Sequence, residues 1–471
     1  MVCRTLTFSP DSDPEYMMFL LRISLAVLLV SLSPHAMTVE PATESLYDLE
    51  PTVVSIAQER GRTVLLVNGQ PFSVKGAGMG YSDSAGVSSL AAAGGNAFRT
   101  WDTLSMDAQL EAALQHDLMV LVGLDVGKQL QGFDYDDAVL VEQQHQRLLG
   151  VVERYRNHPS VLGWILGNEP NLMVNGEGRV IPANPDIYSA IGKLARDIKA
   201  VDPNHPTTVA FAFTATLADD IRSALQAAPD LDFVSLQAYG ALSVIPQVVQ
   251  DMKLPRPFMI TEFGPLGHWE MPATEWGREI EEPSGHKAQG MLARMKDSVI
   301  DDPTGKLLGS FAFLWGHKQE RTPTWYGLFL DTGERTASVD ELTRVWTGSW
   351  PENRAPSVWS VTLQDQTADT SVRVKTSEPL KASAIINDPE NDALIVGWEL
   401  LNEVDERSHG GHFERRPDAV ELRNARMTED GERSGLVFDA PRLPGEYRLF
   451  VYARDEHRGG ATANIPFLVT E

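Results

Sequence analysis

An α/β architecture, an eight-stranded (β/α)8 barrel followed by a small all-β, immunoglobulin-like sandwich, is what this 471-residue sequence predicts. Three observations carry the expectation. From Phe72 to Trp346 short apolar runs alternate with helical patterns, the mark of a parallel sheet wrapped by helices. After Trp350 the pattern changes to Val and Thr alternating with polar residues in short runs between turn residues. Two apolar runs in the first region, WILGNEP and FMITEFG, carry Glu169 and Glu262, 93 residues apart. At roughly 30 residues per strand–helix unit that gap is three units, which places the glutamates on the fourth and seventh strands and at one mouth of the barrel.

The elements follow in order. Residues 64–76 read as two strands joined by the Asn68-Gly69 turn, because both residues tolerate positive φ; the second strand, at Phe72, is expected to become the first barrel strand. A helix over 84–93 then precedes a strand over 96–100, and a helix over 106–116 precedes a strand over 118–124. A helix over 136–156 leads to the strand over 161–166, one over 185–201 to 207–213, and one over 217–228 to 233–237. Helices over 245–252 and 286–300 precede strands over 258–261 and 310–315, and a helix over 339–346 closes the series. The resulting division is a signal peptide over 1–36, a leader over 37–62, the barrel over 63–350, a linker over 351–356 and a β-sandwich accessory module over 357–471.

A hydrophobic content of 42% is enough for a sizeable core, and a net charge of −25 argues against a nucleic-acid partner and favours neutral or cationic ligands. The run over 18–32 has the length of a signal-peptide core, with Arg22 inside it and translation starting at Met1 or at Met17 or Met18. It falls short of the ~20 residues of a membrane span, so export to the periplasm or the extracellular space, with no stable membrane association after cleavage, is expected; an uncleaved membrane anchor is the competing reading. The single cysteine, Cys3, lies in the segment to be removed, which leaves no disulfide and no thiolate metal site.

Two carboxylates at the ends of short buried strands suit a retaining glycosidase, in which one protonates the leaving oxygen and the other attacks the sugar carbon. Glu169 is expected to be the acid and then the base, with its pKa raised by burial and by the like charge of Glu262, the nucleophile. Trp101, Trp269, Asp102, Asp125, His317, Trp325 and Tyr326 fall on loops at the same mouth, where they are expected to shape sugar subsites. His205 reads as a loop residue before the fifth strand. No His or carboxylate spacing suggests a metal, and the glycines at 76, 78 and 80 lack the context of a dinucleotide site, so no cofactor is expected.

The NGQPFSVKGAG opening, NAFRTW, GNEP, TEFG and FLWG occur in an order that resembles glycoside hydrolase clan A, the TIM-barrel enzymes that include families 5 and 2, over residues 63–346. The resemblance implies that Asn168 hydrogen-bonds the sugar 2-hydroxyl and that Arg99 lies beside the nucleophile. It also implies that Tyr239 donates its hydroxyl to the nucleophile and that Trp315, ending the eighth strand, is an indole platform under the sugar. Gln237 departs from the His or Asn of several families. In the C-terminal region DPENDAL followed by Trp398 resembles cadherin-like and polycystic-kidney-disease-type modules, which are spacers or weak glycan binders; Glu399 and Glu403 read as surface charges. The expected protein is a monomeric, secreted retaining β-glycosidase acting on a β-linked glucan or related neutral polysaccharide. A transglycosylase with the same glutamates and a non-catalytic carbohydrate-binding protein are the alternatives.

Overall fold

The Asn-Gly pair turns the chain as its torsional freedom allows: Asn68 and Gly69 take φ of 50° and 76° between strands β2 (Arg62–Val67) and β3 (Gln70–Pro71). With β1 (Val54–Glu59) these form an antiparallel sheet in the order β1-β2-β3. The structure is a computed structural model that describes residues 51–80, 86–175, 179–407, 411, 413–430 and 433–471. The apolar run over 18–32, Cys3 and the expected signal cleavage lie outside the described residues. Contrary to expectation, β3 does not run on into the barrel. It stops after Pro71, with the Phe72 amide still donating to the Leu65 carbonyl, and the first barrel strand is β4 (Val74–Gly78). Val54 and Leu65 pack against Val74, Ala97, Leu121 and Leu162, while the Val54 and Thr63 amides donate to the carbonyls of Asn204 and Gly305. Those carbonyls sit in turns that feed barrel strands, so the hairpin covers the end opposite the glutamates.

The barrel closes as eight parallel strands. In chain order β4 is followed by α1 (Gly86–Ala92), β5 (Ala97–Arg99), α2 (Met106–Gln115), β6 (Met119–Leu124), α3 (Ala138–Tyr155) and β7 (Val161–Asn168). Then come α4 (Pro185–Val201), β8 (Thr207–Ala212), α5 (Leu217–Ala227), β9 (Val234–Gln237), α6 (Ile245–Asp251) and β10 (Phe258–Phe263). The last turn of the barrel is α7 (Ser284–Met295), β11 (Leu307–Ala312) and α8 (Ala337–Thr347). The strands are apolar on both faces because helices cover one side and packed side chains fill the other; all six residues of β8 and of β10 are buried. Helix starts are marked by sequence. Asp137 accepts from the amides of Val139 and Leu140, and Asn184 caps α4 ahead of Pro185 at its first position. Among the described residues, no helix is long and apolar enough to cross a membrane.

Two sheets follow, one ordered β12-β14-β18-β17 and the other β13-β20-β19-β15-β16. Their strands are β12 (Ser357–Leu363), β13 (Arg373–Lys375), β14 (Pro379–Asn387), β15 (Ile395–Asn402), β16 (Ala419–Val420), β17 (Arg423–Asp430), β18 (Arg433–Asp439), β19 (Gly445–Arg454) and β20 (Gly460–Thr470). Val358, Leu380 and Ile386 of the first sheet meet Leu449, Ile465 and Phe467 of the second in one apolar core. The module joins the barrel through polar contacts at α7, where Ser284 Oγ accepts from the amides of Val358 and Thr462. Glu403 is a correction: it is buried rather than on the surface, and it accepts from Arg448 Nε at 2.8 Å.

The closest backbone approach in the barrel wall is at Gly123 in β6, where a Cβ would lie 2.2 Å from the Thr100 carbonyl oxygen. Backbone cannot yield as a flexible side chain can. Gly123→Ala is therefore expected to lower stability by about 1–3 kcal/mol, read as a drop in urea midpoint at unchanged slope.

Candidate active site

Glu262, in β10, is 5% exposed and accepts four hydrogen bonds. Three converge on Oε1: from Arg99 Nη1 at 3.1 Å, Trp101 Nε1 at 2.8 Å and Gln237 Nε2 at 2.8 Å. The fourth comes from the Tyr239 hydroxyl to Oε2 at 2.9 Å. Oε1 is thus saturated, and Oε2 keeps the freer lone pair. Two strand ends build this cage, since Arg99 closes β5, Gln237 closes β9, and Trp101 and Tyr239 lie two residues beyond those strands. Gly78 makes room for the indole, because a Cβ there would meet the Trp101 ring at 2.5 Å.

Asn168, the last residue of β7, accepts on Oδ1 from Arg99 Nη2 at 2.9 Å and from Gln237 Nε2 at 2.6 Å. Reversing either carboxamide would set donor against donor or acceptor against acceptor, so the network determines both orientations. The Asn168 amide nitrogen is left as the donor for a ligand. Gln237 had been noted only as a departure from a pattern. It bridges the two site residues, and its own Oε1 is buried with no hydrogen-bond partner among the described residues.

Glu169 follows directly and takes a left-handed φ of 53°, rare for a residue with a Cβ, with its amide donating to the Ala210 carbonyl at 2.7 Å. Its Oε2 is 3.9 Å from Lys128 Nζ, a residue the sequence reading did not select. Burial pushes the Glu169 carboxyl up to about 7, with the charges of Glu262 and Glu320 in support and those of Lys128 and Arg99 in opposition. Burial also pushes up the Tyr239 hydroxyl, with Glu262 beside it, so the tyrosine remains a donor. Glu320 behaves oppositely. Burial works against its charge, but contacts with His268 and Lys318 outweigh that and hold the carboxyl down at about 2.

Glu169 and Glu262 line one cleft of about 950 Å³, together with Asn168, Gln237, Tyr239 and Trp101. That volume suits a site for several sugar rings or a drug-sized ligand. Trp269 is 59% exposed at its rim, with its ring edge-on to Tyr239 at 5.5 Å. Trp315 does not line the cleft, which corrects its reading as a sugar platform. β11 ends at Ala312, so strand alternation no longer governs residue 315; its ring is fully buried, stacks on Trp346 and donates to Ser89 Oγ at 2.9 Å. Phe313 lines the cleft instead. Trp325 is likewise buried, its indole donating to the Leu266 carbonyl. Asp102, Asp125, His317 and Tyr326 do reach the cleft, and His205 pairs with Asp202 before β8, away from it.

An eightfold barrel with paired carboxylates from its fourth and seventh strands at one mouth is the arrangement that two-carboxylate glycoside hydrolysis uses. Residues 111–270 match the family model described as glycosyl hydrolases family 2, TIM barrel domain. Solved structures are similar at low identity. A β-glucuronidase from Ruminococcus gnavus is 17% identical, with 63% of this chain and 52% of that chain covered, at a TM-score of 0.46. The β-glucuronidase of Bacteroides uniformis is 13% identical over 88% of this chain and 48% of that chain, at 0.45. A glucosidase from Croceicoccus marinus is 11% identical over 84% and 93%, at 0.41. The chain spans about half the length of the two glucuronidases.

The raised Glu169 carboxyl sets a testable sign. A group whose pKa is higher folded than unfolded favours the fold below its unfolded value, and that contribution is lost as pH rises through about 7. Glu169→Gln is expected to melt at a higher temperature than the wild type at pH 8 and to show no such advantage at pH 4, read by thermal unfolding at both pH values.

Proposed function

We propose that the chain is an exported retaining β-glycosidase, cutting a β-linked glucan or related neutral polysaccharide by double displacement. The observation that carries this reading is the division of labour between the two glutamates. Glu262 has one oxygen tied by three donors and a second held by Tyr239 alone, whereas Glu169 is a carboxyl that burial keeps protonated up to about pH 7. One is arranged as a nucleophile and the other as an acid.

In the first displacement Glu262 Oε2 attacks the anomeric carbon. The bond from that carbon to the glycosidic oxygen breaks, and the oxygen takes the proton of Glu169. Asn168 donates to the 2-hydroxyl of the sugar in the reacting subsite. In the second, Glu169, now a carboxylate, removes a proton from water as the water attacks the same carbon, and the ester bond to Glu262 Oε2 breaks. Two inversions retain the configuration. Beyond the catalytic pair the cleft has Asp102, Asp125, Glu270 and Glu320 against Lys128 and Lys318, an excess of carboxylates that favours a neutral glycan. The C-terminal sandwich, with its likeness to cadherin and polycystic-kidney-disease-type modules, is read as an accessory module, and export rests on the apolar run over 18–32.

The test is product analysis of the chain from Met37 onward on β-1,3-, β-1,4- and β-1,6-linked glucans, mannans and galactans, with the anomer followed by NMR. Cleavage with a retained anomer is expected. Glu262→Ala should abolish it, and Glu169→Gln should slow it by about 10²–10⁴-fold on substrates with a poor leaving group. The wild-type rate should fall as pH rises through about 7, because Glu169 loses its proton there. Products longer than the input would identify a transglycosylase. An inverted anomer, or binding without turnover in wild type and Glu262→Ala alike, would overturn the reading.

A further inference from the structure

The cleft is not uniform in polarity. Among the described residues its aromatic lining comes from the loops after β5 and after β8 to β11, whereas the loops after β6 and β7 supply Val126, Leu130, Leu172, Val174 and Val180. Glu169 stands in this aliphatic half. We propose that the aliphatic half receives the leaving group, and that the chain therefore also cleaves β-glycosides of apolar alcohols, a second class of substrate beside glycans. The inference rests on Glu169 being the acid of a retaining glycosidase and adds the chemistry of the group that it protonates.

The aliphatic wall is built around the acid. Leu172 lies just past Glu169, and its amide donates to the Glu169 carbonyl at 3.0 Å. Val126 abuts the strand that leads to the acid, since a Cβ at Gly167 would lie 3.0 Å from the Val126 Cβ. The loop carrying Val126 and Leu130 is held at Gly127, whose amide donates to Gln144 Oε1 and whose carbonyl accepts from the Tyr135 hydroxyl, each at 2.6 Å. Val174 and Val180 face each other across an antiparallel bridge. The Asn175 amide donates to the Arg179 carbonyl at 2.9 Å and the Ile181 amide to the Met173 carbonyl at 3.0 Å, so the valines form a non-hydrogen-bonded pair, the register in which side chains come closest. Both line the cleft, and Val180 is 38% exposed.

A sugar carries hydroxyls around its rim, and a hydroxyl turned toward a methyl group gives up its hydrogen bond to water with nothing in exchange. Sugar faces pack on aromatic rings, which this half of the cleft lacks among the described residues. An alkyl or aryl group loses no hydrogen bond there and gains by leaving water. Of the other charged groups that these loops bring to the cleft, Lys128 Nζ is 3.9 Å from Glu169 Oε2, beside the reacting oxygen, and Asp125 pairs with Arg147 of α3 at 2.9 Å. In the cleavage step Glu262 Oε2 bonds to the anomeric carbon, the bond from that carbon to the alcohol oxygen breaks with its electron pair on oxygen, and Glu169 gives that oxygen its proton. The alcohol leaves neutral, and water completes the second displacement with release of the sugar.

The experiment measures sugar release by the chain from Met37 onward from methyl, butyl and hexyl β-glycosides of glucose, galactose and mannose, each below its micelle range. The three alcohols are leaving groups of nearly equal acidity, so differences among them report contacts with the carbon chain. The ratio kcat/KM is expected to rise about two- to fourfold per methylene from methyl to hexyl, mainly through a lower KM, because a methylene buried on binding contributes equally before and at the transition state. Val180→Asp, at an exposed position, is expected to cut the hexyl-to-methyl ratio by about tenfold, since it sets a charge against the carbon chain. Val174→Thr keeps the shape of the wall, replaces a methyl with a hydroxyl, and is expected to lower the same ratio by about threefold. A series that is flat or falls with chain length, a series that both variants leave intact, or no release from hexyl glycosides while glycans are cut would overturn the apolar site and leave the glycosidase reading standing. No sugar released from any glycoside or glycan would overturn both.

Discussion

A guanidinium with no exposed surface lies at the centre of the barrel mouth, and the catalytic arrangement depends on how it is satisfied. Arg99 reaches Glu262 on the seventh strand, Asn168 on the fourth, and the carbonyls of Thr100 and Thr261. Burial lowers its pKa, with Glu262 and Glu169 opposing that effect, so the cation is retained by its neighbours' charge. Breaking a buried pair by removing one partner costs about 3–5 kcal/mol, because an uncompensated charge remains. Glu262 is accordingly both the proposed nucleophile and the counterion that keeps the strand ends in register. This couples stability to function at one atom pair: a variant that loses the nucleophile also leaves Arg99 stranded, and its folding must be checked separately from its chemistry.

The two glutamates differ in a way that burial alone does not explain. Both lie at the same mouth, but Glu262 leaves a strand with four donors around it, whereas Glu169 emerges from a left-handed residue just past its strand. That turn lifts Glu169 out of the donor cage and toward Lys128, 3.9 Å away, too distant for a good hydrogen bond. Desolvation therefore dominates at Glu169. The left-handed φ and the raised carboxyl pKa are linked, since the conformation that takes the acid out of the donor cage leaves burial as the largest influence on it, ahead of the opposing charge of Lys128.

Much of this was legible in the sequence because the barrel repeats. Eight strand–helix units and the glutamates on the fourth and seventh strands follow from apolar runs with chemistry at their ends, while Arg99, Asn168 and Tyr239 around the site follow from the resemblance to clan A. The resemblance failed where the strand had already ended. Trp315 was placed at the end of the eighth strand as the clan's indole platform, but β11 stops three residues earlier, and the indole turns into the layer beneath α1 and α8. Gln237 and Lys128 were missed for another reason: an amide or an amine has no distinguishing pattern along the chain, and its role appears only when neighbouring strands bring its partners within 3 or 4 Å. The pairing of Glu403 with Arg448 is of the same kind, a charge that looks like surface until its partner on the adjacent strand is known.

The sandwich is more than a spacer behind the barrel. Glu414, fully inside the protein, accepts from the Arg321 amide and guanidinium and from Gln319, all in the loop after the eighth strand. That same loop contributes His317, Lys318 and Glu320 to the cleft, and Gly411 of the module lines it as well. On the far side of the loop, Arg448 spans Glu403, Asn464 and the carbonyl of Glu279, while Lys287 pairs with Glu281 beneath Thr324. A charged, buried interface of this kind does not slide; each partner left unpaired would cost far more than a rim contact. The C-terminal sandwich therefore fixes one wall of the cleft mouth. Loop length after the eighth strand can be read from sequence, but loop position cannot, because it is set by a domain that begins some thirty residues later.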